Sequence, residues 1–245
     1  MTRSEDRLLD GRVRLAQPAS GYRVAIDPVL LAAAVPAAPG QSALDLGCGV
    51  GAAGLCLLAR TPDLRVVGVE INPEMARLAA ENGAANGHGP DRYRALCADV
   101  GALDDLPTDF DHVLMNPPFH DPSATPSPDR ARARATHAAE DLALWVDAAH
   151  RRLRRRGGLT LIWPAARLSH AVTALSRRFG GIALAPIWPR RGAPAKRVLI
   201  HAGKESRSPE SLKPGLVLHG EGNGYTEAAR AILWGAAAFE WEEGA

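Results

Sequence analysis

"SALDLGCGVGAAGLCLLAR", Ser42 to Arg60, contains a strand, a turn and a helix. Ser42–Leu46 is a short apolar run that stops at a glycine cluster, the pattern of a buried strand. "AAGLCLLAR", Ala52–Arg60, reads as a helix. Between them Gly49, Gly51 and Gly54 satisfy G-x-G-x-x-G. In strand–turn–helix context that spacing lets backbone pass close to a ligand with no Cβ in the way. Asp45, just ahead of Gly47 and Gly49, changes which ligand is expected. A carboxylate here would repel a pyrophosphate, whereas a cationic ligand tolerates it.

Outward from this unit the same alternation continues. "RVVGVE" (Arg65–Glu70) is a β-branched strand, and "PEMARLAAENGAAN" reads as a helix with Pro73 in its first turn. Strands follow near "YRALCA" and at "DHVLM" (Asp111–Met115). "AAEDLALWVDAAHRRL" (Ala138–Leu153) is a helix with Leu142, Trp145, Val146 and Ala149 on one face. "LTLIW" is a strand, "ARLSHAVTALSRRF" a helix, and "IALAPIW" and "RVLIHA" are strands with no helix between them. The expected class is therefore α/β: a Rossmann-like, mostly parallel sheet, helices on both faces, and a last strand that runs antiparallel. Residues 1–40 read as a lead-in with one helical stretch, "DPVLLAAAV", and 41–245 as the main domain. Gly203–Gly215 is polar and rich in Ser and Pro, so a mobile loop is expected there. Pro118–Thr136 is a longer Pro-rich loop beside a strand end.

Composition limits the function classes. Apolar residues make up 46% of the 245, enough for a sizeable core, and no apolar run approaches the length of a membrane span. The charged start, "MTRSEDRLLDGR", carries no secretory h-region. Cys48, Cys56 and Cys97 are scattered and odd in number, which fits a reducing, cytoplasmic setting, and no Cys/His spacing reads as a metal site. The net charge is +2, yet Arg151–Arg197 holds twelve basic residues and no acid, which leaves −10 for the remainder. Such a segment suits a polyanionic partner, or is a set of solvated arginines.

Acids recur at successive strand ends. Glu70 ends the second strand and can accept from both hydroxyls of a ribose. Asp99 follows the third, where it can accept from an adenine amino group while Val100 donates its amide. Asp45, Gly47, Gly49, Gly51, Glu70, Ile71, Asp99 and Val100 thus make one nucleoside site for a ligand with positive charge and no phosphate. S-adenosylmethionine, with an amino group and a sulfonium, is such a ligand.

The fourth strand runs into "NPPF", Asn116–Phe119. Each proline forces its predecessor away from the α region and removes an amide donor. The edge is left with acceptors, the Asn116 side-chain carbonyl and the Pro117 backbone carbonyl, which suit an –NH₂ group. Phe119 offers a plane on which a flipped-out base can stack. The plainer readings are a strand terminator for the prolines and core packing for Phe119.

Together these motifs resemble the class I S-adenosylmethionine-dependent methyltransferases that carry Asn-Pro-Pro-Phe, over about residues 42–202. The resemblance implies a seven-stranded sheet with the last strand inserted antiparallel, and methylation of a planar amino group, with Asn116 also beside the cofactor. "QPASGYRVAIDPVLLAAAV", "RARATHAAEDLALWVDAAHRRLRRRGGLTLI" and "LVLHGEGNGYTEAARAIL" resemble the bacterial enzymes that methylate adenine-37 of valine tRNA at N(6). The implied partner is then RNA, a tRNA, with neither membrane nor metal. The lead-in is expected to contribute to the active site, with Tyr22, Arg23 and Asp27 near cofactor or base; the alternatives are a helix cap for Asp27 and surface positions for the other two. Pro118, Lys196 and Arg197 are further candidates for substrate contact. Arg151–Arg156, Arg177–Arg178 and Arg190–Arg191 are candidates for phosphate contact. His120 and His137 read as loop or capping residues. "NPPFH" also resembles ribosomal guanine-N(2) methyltransferases, whose duplicated N-terminal half has no room here, and release-factor glutamine methyltransferases are the protein-directed alternative.

Overall fold

The computed structural model describes residues 2–19, 24–118, 142–222 and 224–241. An antiparallel hairpin comes first: β1 (Arg3–Leu8) pairs β2 (Val13–Pro18). Helix α1 (Asp27–Ala34) leads into the alternating part: β3 (Ser42–Leu46), α2 (Ala52–Arg60), β4 (Arg65–Glu70), α3 (Pro73–Ala85), β5 (Tyr93–Cys97) and β6 (Phe110–Met115). After α4 (Leu142–Arg152) come β7 (Leu153–Pro164), a single 3₁₀ turn (Ala165–Arg167) and α5 (Leu168–Leu175). The strands β8 (Phe179–Trp188), β9 (Arg197–Lys204), β10 (Ser211–Leu212) and β11 (Leu216–Val217) precede α6 (Glu227–Leu233).

The sheet order is β10-β8-β9-β7-β6-β3-β4-β5, with β11 also on β8. From β7 to β5 all neighbours are parallel, and β9 is antiparallel to both β7 and β8. Strands β3 to β9 are the expected seven, with the expected antiparallel insertion. The chain leaves β3 in one direction, toward β4 and β5, and returns on its other side at β6. That reversal opens a crevice at the carboxyl edge between β3 and β6, where ligands of open α/β sheets bind.

Both faces are covered, so the central strands are mostly apolar, with Asp45 of β3, His112 of β6 and Thr160 of β7 as buried polar residues. One face packs Leu30, Leu31, Leu55, Leu57, Leu78 and Ile232 from α1, α2, α3 and α6. The other packs Trp145, Val146, Ala171 and Leu175 from α4 and α5. Leu142, Trp145, Val146 and Ala149 are all buried, as their helical spacing indicates.

Two expectations are corrected. Residues 1–40 contain a hairpin as well as the helix. β2 has the period-2 pattern, with Val13 and Leu15 buried, but β1 ("RSEDRL") is polar and half-exposed, so the pair lacks an apolar signature. Its turn contains Asp10-Gly11, and Leu9, Asp10 and Gly11 all take positive φ (52°, 55° and 84°). Gly203–Gly215 includes β10, which runs parallel along β8, so part of that stretch is strand.

The hairpin is held by side chains. Asn82 of α3 accepts from the Ala16 amide (2.8 Å) and donates to the Ala16 and Val50 carbonyls (both 2.9 Å). One turn later Asn86 accepts from the Arg14 amide (2.8 Å) and donates to the Arg14 carbonyl (2.7 Å). Each amide offers β2 the donor and acceptor that a neighbouring strand would.

Candidate functional site

Register places the acids together. Leu46 pairs with both Val69 and Met115, so Gly47, Glu70 and Asn116 are successive neighbours at the edge of β4, β3 and β6. Glu70 pairs Cys97, two residues before Asp99. Asp45 lies one step inside the sheet, between Gly68 and Leu114, and is only 2% exposed.

The glycine loop is shaped by two rings. A Cβ on Gly51 (φ 89°) would lie 2.4 Å from the Tyr93 hydroxyl, and one on Gly83, inside α3, 2.5 Å from its ring. Gly54 is similarly tight against Tyr93 (3.1 Å) and Val66 (3.0 Å), the close helix–strand approach that the third glycine of the motif permits. On the other face, a Cβ on Gly47 (φ 70°) would lie 2.7 Å from Trp145. Sequence reasoning passed over Tyr93. The available signal was Gly83, a mid-helix glycine that needs a packing reason.

The loop's amides point inward. Cys48 N–H donates to the Val69 carbonyl (2.9 Å), Gly49 to Glu70 Oε2 (3.0 Å), Gly51 to the Cys48 carbonyl (2.8 Å) and Gly54 to Asp45 Oδ2 (3.0 Å). A phosphate cradle needs such amides free and cationic surroundings. Here they are engaged, and two carboxylates stand behind them. Burial pushes the Asp45 carboxyl up to about 7; the Gly54 hydrogen bond opposes that and the Glu70 charge adds to it. Burial and the same two acids also push the Cys48 thiol well up, against a buried Tyr93 hydroxyl. A nearby cation would relieve this concentration of negative charge.

Glu70 keeps acceptor capacity. Oε2 takes the Gly49 amide and Oε1 the Asn72 amide (2.9 Å), which fixes the carboxylate and leaves a lone pair on each oxygen. The next residue, Ile71, is 46% exposed, an apolar shelf at a polar rim. Asp99 is exposed and takes the Gly101 amide on Oδ1 (2.8 Å). Val100 is buried, and among the described residues nothing accepts its amide.

At the end of β6, Asn116 is half-buried, Pro117 buried and Pro118 exposed. Phe119, Tyr22, Arg23, His120 and His137 lie outside the described residues. Asp27 is the first residue of α1 and makes no capping hydrogen bond; instead it accepts from Arg197 Nε (2.9 Å). Two of the proposed substrate contacts are therefore each other's partners. Lys196 is exposed beside them.

Topology divides the basic segment. Leu153 pairs Phe110, the first residue of β6, so Arg151–Arg156 lie at the amino edge of the sheet; Arg177 and Arg178 precede β8 at that same edge. Several have partners: Arg154 with Asp111 (2.6 Å), Arg155 with Glu205 (3.0 Å), Arg178 with Asp147 (2.7 Å) and Arg152 with the Leu106 carbonyl (2.6 Å). Arg190, Arg191, Lys196 and Arg197 lie at the carboxyl edge with the acids.

Comparison with known proteins identifies the family and the fold. The family model described as "Methyltransferase small domain" matches residues 20–185. A Porphyromonas gingivalis relative named "tRNA1(Val) (adenine(37)-N6)-methyltransferase" is 36% identical over 167 residues, 64% of this chain and 64% of its own length. The chain thus spans a little under two thirds of that relative. An Actinobacillus succinogenes protein of the same name is 29% identical over 83% of this chain and 85% of its own. Among solved structures, a predicted O-methyltransferase from Agrobacterium tumefaciens superposes with a TM-score of 0.72 at 29% identity, covering 87% of this chain and 98% of that one. A Thermus thermophilus 16S rRNA N2 methyltransferase, solved with AdoMet and guanosine, shares the fold: TM-score 0.57, 21% identity, 83% of this chain and 50% of that one.

Proposed function

For a chain that belongs to the methyltransferase small domain family, we propose transfer of a methyl group from S-adenosylmethionine to the exocyclic amine of adenine, at N(6), in a tRNA. The observation that carries this reading is the adjacency of Glu70, Gly47 and Asn116 across β4, β3 and β6. It brings the acids proposed to hold the nucleoside next to the Asn116 and Pro117 carbonyls proposed to accept from the amine.

The residues suit the cofactor. Glu70, fixed by two amides, has a lone pair on each oxygen for two ribose hydroxyls. Ile71 offers the adenine an apolar face, Asp99 Oδ2 an acceptor for its amino group and Val100 an amide. Asp45 and the turn through Gly47, Gly49 and Gly51 suit the amino-acid end, where positive charge meets a buried carboxyl. When bound, the cofactor supplies an electrophilic methyl on a sulfonium.

The chain's part in the transfer is positional. An exocyclic amine is a weak nucleophile because its lone pair is delocalised into the ring. The Asn116 and Pro117 carbonyls accept its two hydrogens, draw the nitrogen toward tetrahedral geometry and aim the lone pair at the methyl. The bound cofactor would supply the methyl for the new N–C bond and would leave as its neutral thioether. The proton, now acidic, leaves to water or to an adjacent acceptor. Phe119 would stack on the base. We place this activity in the cytoplasm, on the RNA named by the relatives.

The test is radiolabelled transfer to separate tRNA, rRNA and protein pools, followed by nucleoside analysis. Label in N(6)-methyladenosine of tRNA is expected. Methylated guanine, or label in protein alone, would replace the adenine or the RNA assignment. Asn116→Ala is expected to lower kcat at least 100-fold with cofactor affinity within about 3-fold; unchanged turnover would remove the amine cradle.

A further inference from the structure

The division of the basic segment carries a further inference, which rests on the RNA reading above. The end of β6 carries Asn116, and the sheet continues from it through β7 and β9 to β8. At the carboxyl edge each of these strands is followed or preceded by a cation. Arg167 follows β7 in the 3₁₀ turn, Lys196 and Arg197 stand at the start of β9, and Arg190 and Arg191 follow β8. With strands about 4.8 Å apart, this row extends roughly 14 Å sideways from the reacting edge. The amino-edge arginines lie the length of a strand away, roughly 20 Å or more. They cannot touch the same part of a substrate.

The row is built onto the tail of the fold. The His219 amide donates to the Pro189 carbonyl (3.0 Å), and the Arg190 guanidinium donates to the Gly220 (3.3 Å) and Gly222 carbonyls. His219 and Tyr225 stack at 4.4 Å and close that loop. The Lys196 carbonyl accepts from the Ala165 amide (3.1 Å), which joins the β9 start to the turn that bears Arg167. Arg190 and Arg197 are therefore partnered. Arg167, Arg191 and Lys196 have no ion pair among the described residues, and Arg191 and Lys196 are exposed. Over 189–197 there is no acid, and Glu221 is the one acid of the facing loop.

We propose that Arg167, Arg191 and Lys196 form a phosphate-binding rim that holds the substrate RNA strand leading away from the base at Asn116. Arg190 and Arg197 fix the shape of the rim, and the amino-edge arginines take no part in it. Arg167 was not singled out by sequence, because its neighbourhood exists only once β7 and β9 are paired.

The experiment pairs two double variants with equal charge change. Arg191→Glu with Lys196→Glu alters the rim. Arg65→Glu with Arg207→Glu alters the amino edge at positions given no binding role, Arg65 opening β4 and Arg207 lying past the end of β9. The probe is an unmodified valine-tRNA transcript, followed by fluorescence anisotropy over a salt series and by KM for RNA and for cofactor. The rim variant is expected to raise the RNA Kd at least 10-fold, to reduce the log–log salt slope by about 1.5 to 2, and to leave the cofactor KM unchanged. The amino-edge variant is expected to stay within about 2-fold, and Arg191→Lys to retain binding. Equal losses in both double variants, or no loss in the rim variant, overturn the proposal. Wild-type methylation of tRNA with an unaltered RNA KM in the rim variant would sink the rim and leave the RNA activity standing. RNA binding through the rim by an enzyme that methylates only protein would do the reverse.

Discussion

Replacing Asp45 by Asn tests the buried carboxyl directly. Asn offers the same carbonyl oxygen to the Gly54 amide, which Asp45 accepts at 3.0 Å, so the turn is expected to keep its shape. What changes is charge. In the fold the Asp45 carboxyl is pushed up to about 7 from 3.8. Between those values the unfolded chain has released its proton while the folded chain retains it. Stability from this group therefore falls as pH rises from about 4 to 7, by roughly 4 kcal/mol in all. The Asn variant lacks this dependence. Its stability relative to wild type is expected to be near zero or slightly negative at pH 4 and to rise by several kcal/mol at pH 8. At about 2–4 °C per kcal/mol for a chain of this size, the ligand-free variant should melt several degrees higher at pH 8. Cofactor affinity should move the other way, falling at least 10-fold, because the anion that a cationic ligand draws out is gone. Differential scanning fluorimetry at pH 4 and pH 8, with calorimetric titration of cofactor, measures both. A variant less stable than wild type at pH 8 with undiminished cofactor affinity would refute the reasoning.

Three further substitutions probe the same framework. Gly83→Ala would place a Cβ 2.5 Å from the Tyr93 ring, so despite the better helix propensity of Ala it should cost about 1–3 kcal/mol in urea unfolding; a gain would show that the ring can move away. Asn82→Ala removes three hydrogen bonds and is expected to cost about 2–4 kcal/mol, with faster amide exchange at Ala16; unchanged exchange there would mean the hairpin is held by other contacts. His112 and His201 are pushed down to about 4, chiefly by burial, so both are neutral in the fold and each protonates first in the unfolded chain. Their contribution is full above pH 6.5 and is lost as pH falls toward 4, by roughly 3 kcal/mol each, opposite in sign to Asp45 over the same window. Urea midpoints of His201→Asn should accordingly fall less than those of wild type between pH 7 and pH 4, and an identical fall would contradict burial as the cause.

The alternating part of the chain was legible because its signals are local. Short apolar runs such as Val66–Val69 and Val113–Met115 stop at polar residues, Glu70 and Asn116, and Asp99 stands just past β5. Glu70 and Asn116 could be placed at one edge because parallel strands all finish there. The hairpin was not legible because its outer strand is mostly polar and only half-buried; β2 is satisfied by asparagines 66 and 72 residues away. Tyr93 escaped for a related reason. One aromatic on a strand does not say which glycines it will meet, and Gly83 joins Gly51 and Gly54 only in three dimensions. The basic segment misled as a unit, since a strand carries its two ends to opposite edges.

The attachment of β2 to α3 has a consequence during synthesis. Ala16 and Asn82 are 66 residues apart, so the hairpin is made well before the side chain that holds it. At roughly 5–20 residues per second, β2 waits on the order of 3–13 s with one row of backbone groups unclaimed. A strand in that position can recruit another chain. The sequence "RSEDR" on its paired neighbour, with Arg12 and Arg14 at the turn and along β2 itself, keeps the nascent hairpin charged during that interval. Polarity that hid the hairpin from an apolar pattern search thus protects it until Asn82 and Asn86 arrive.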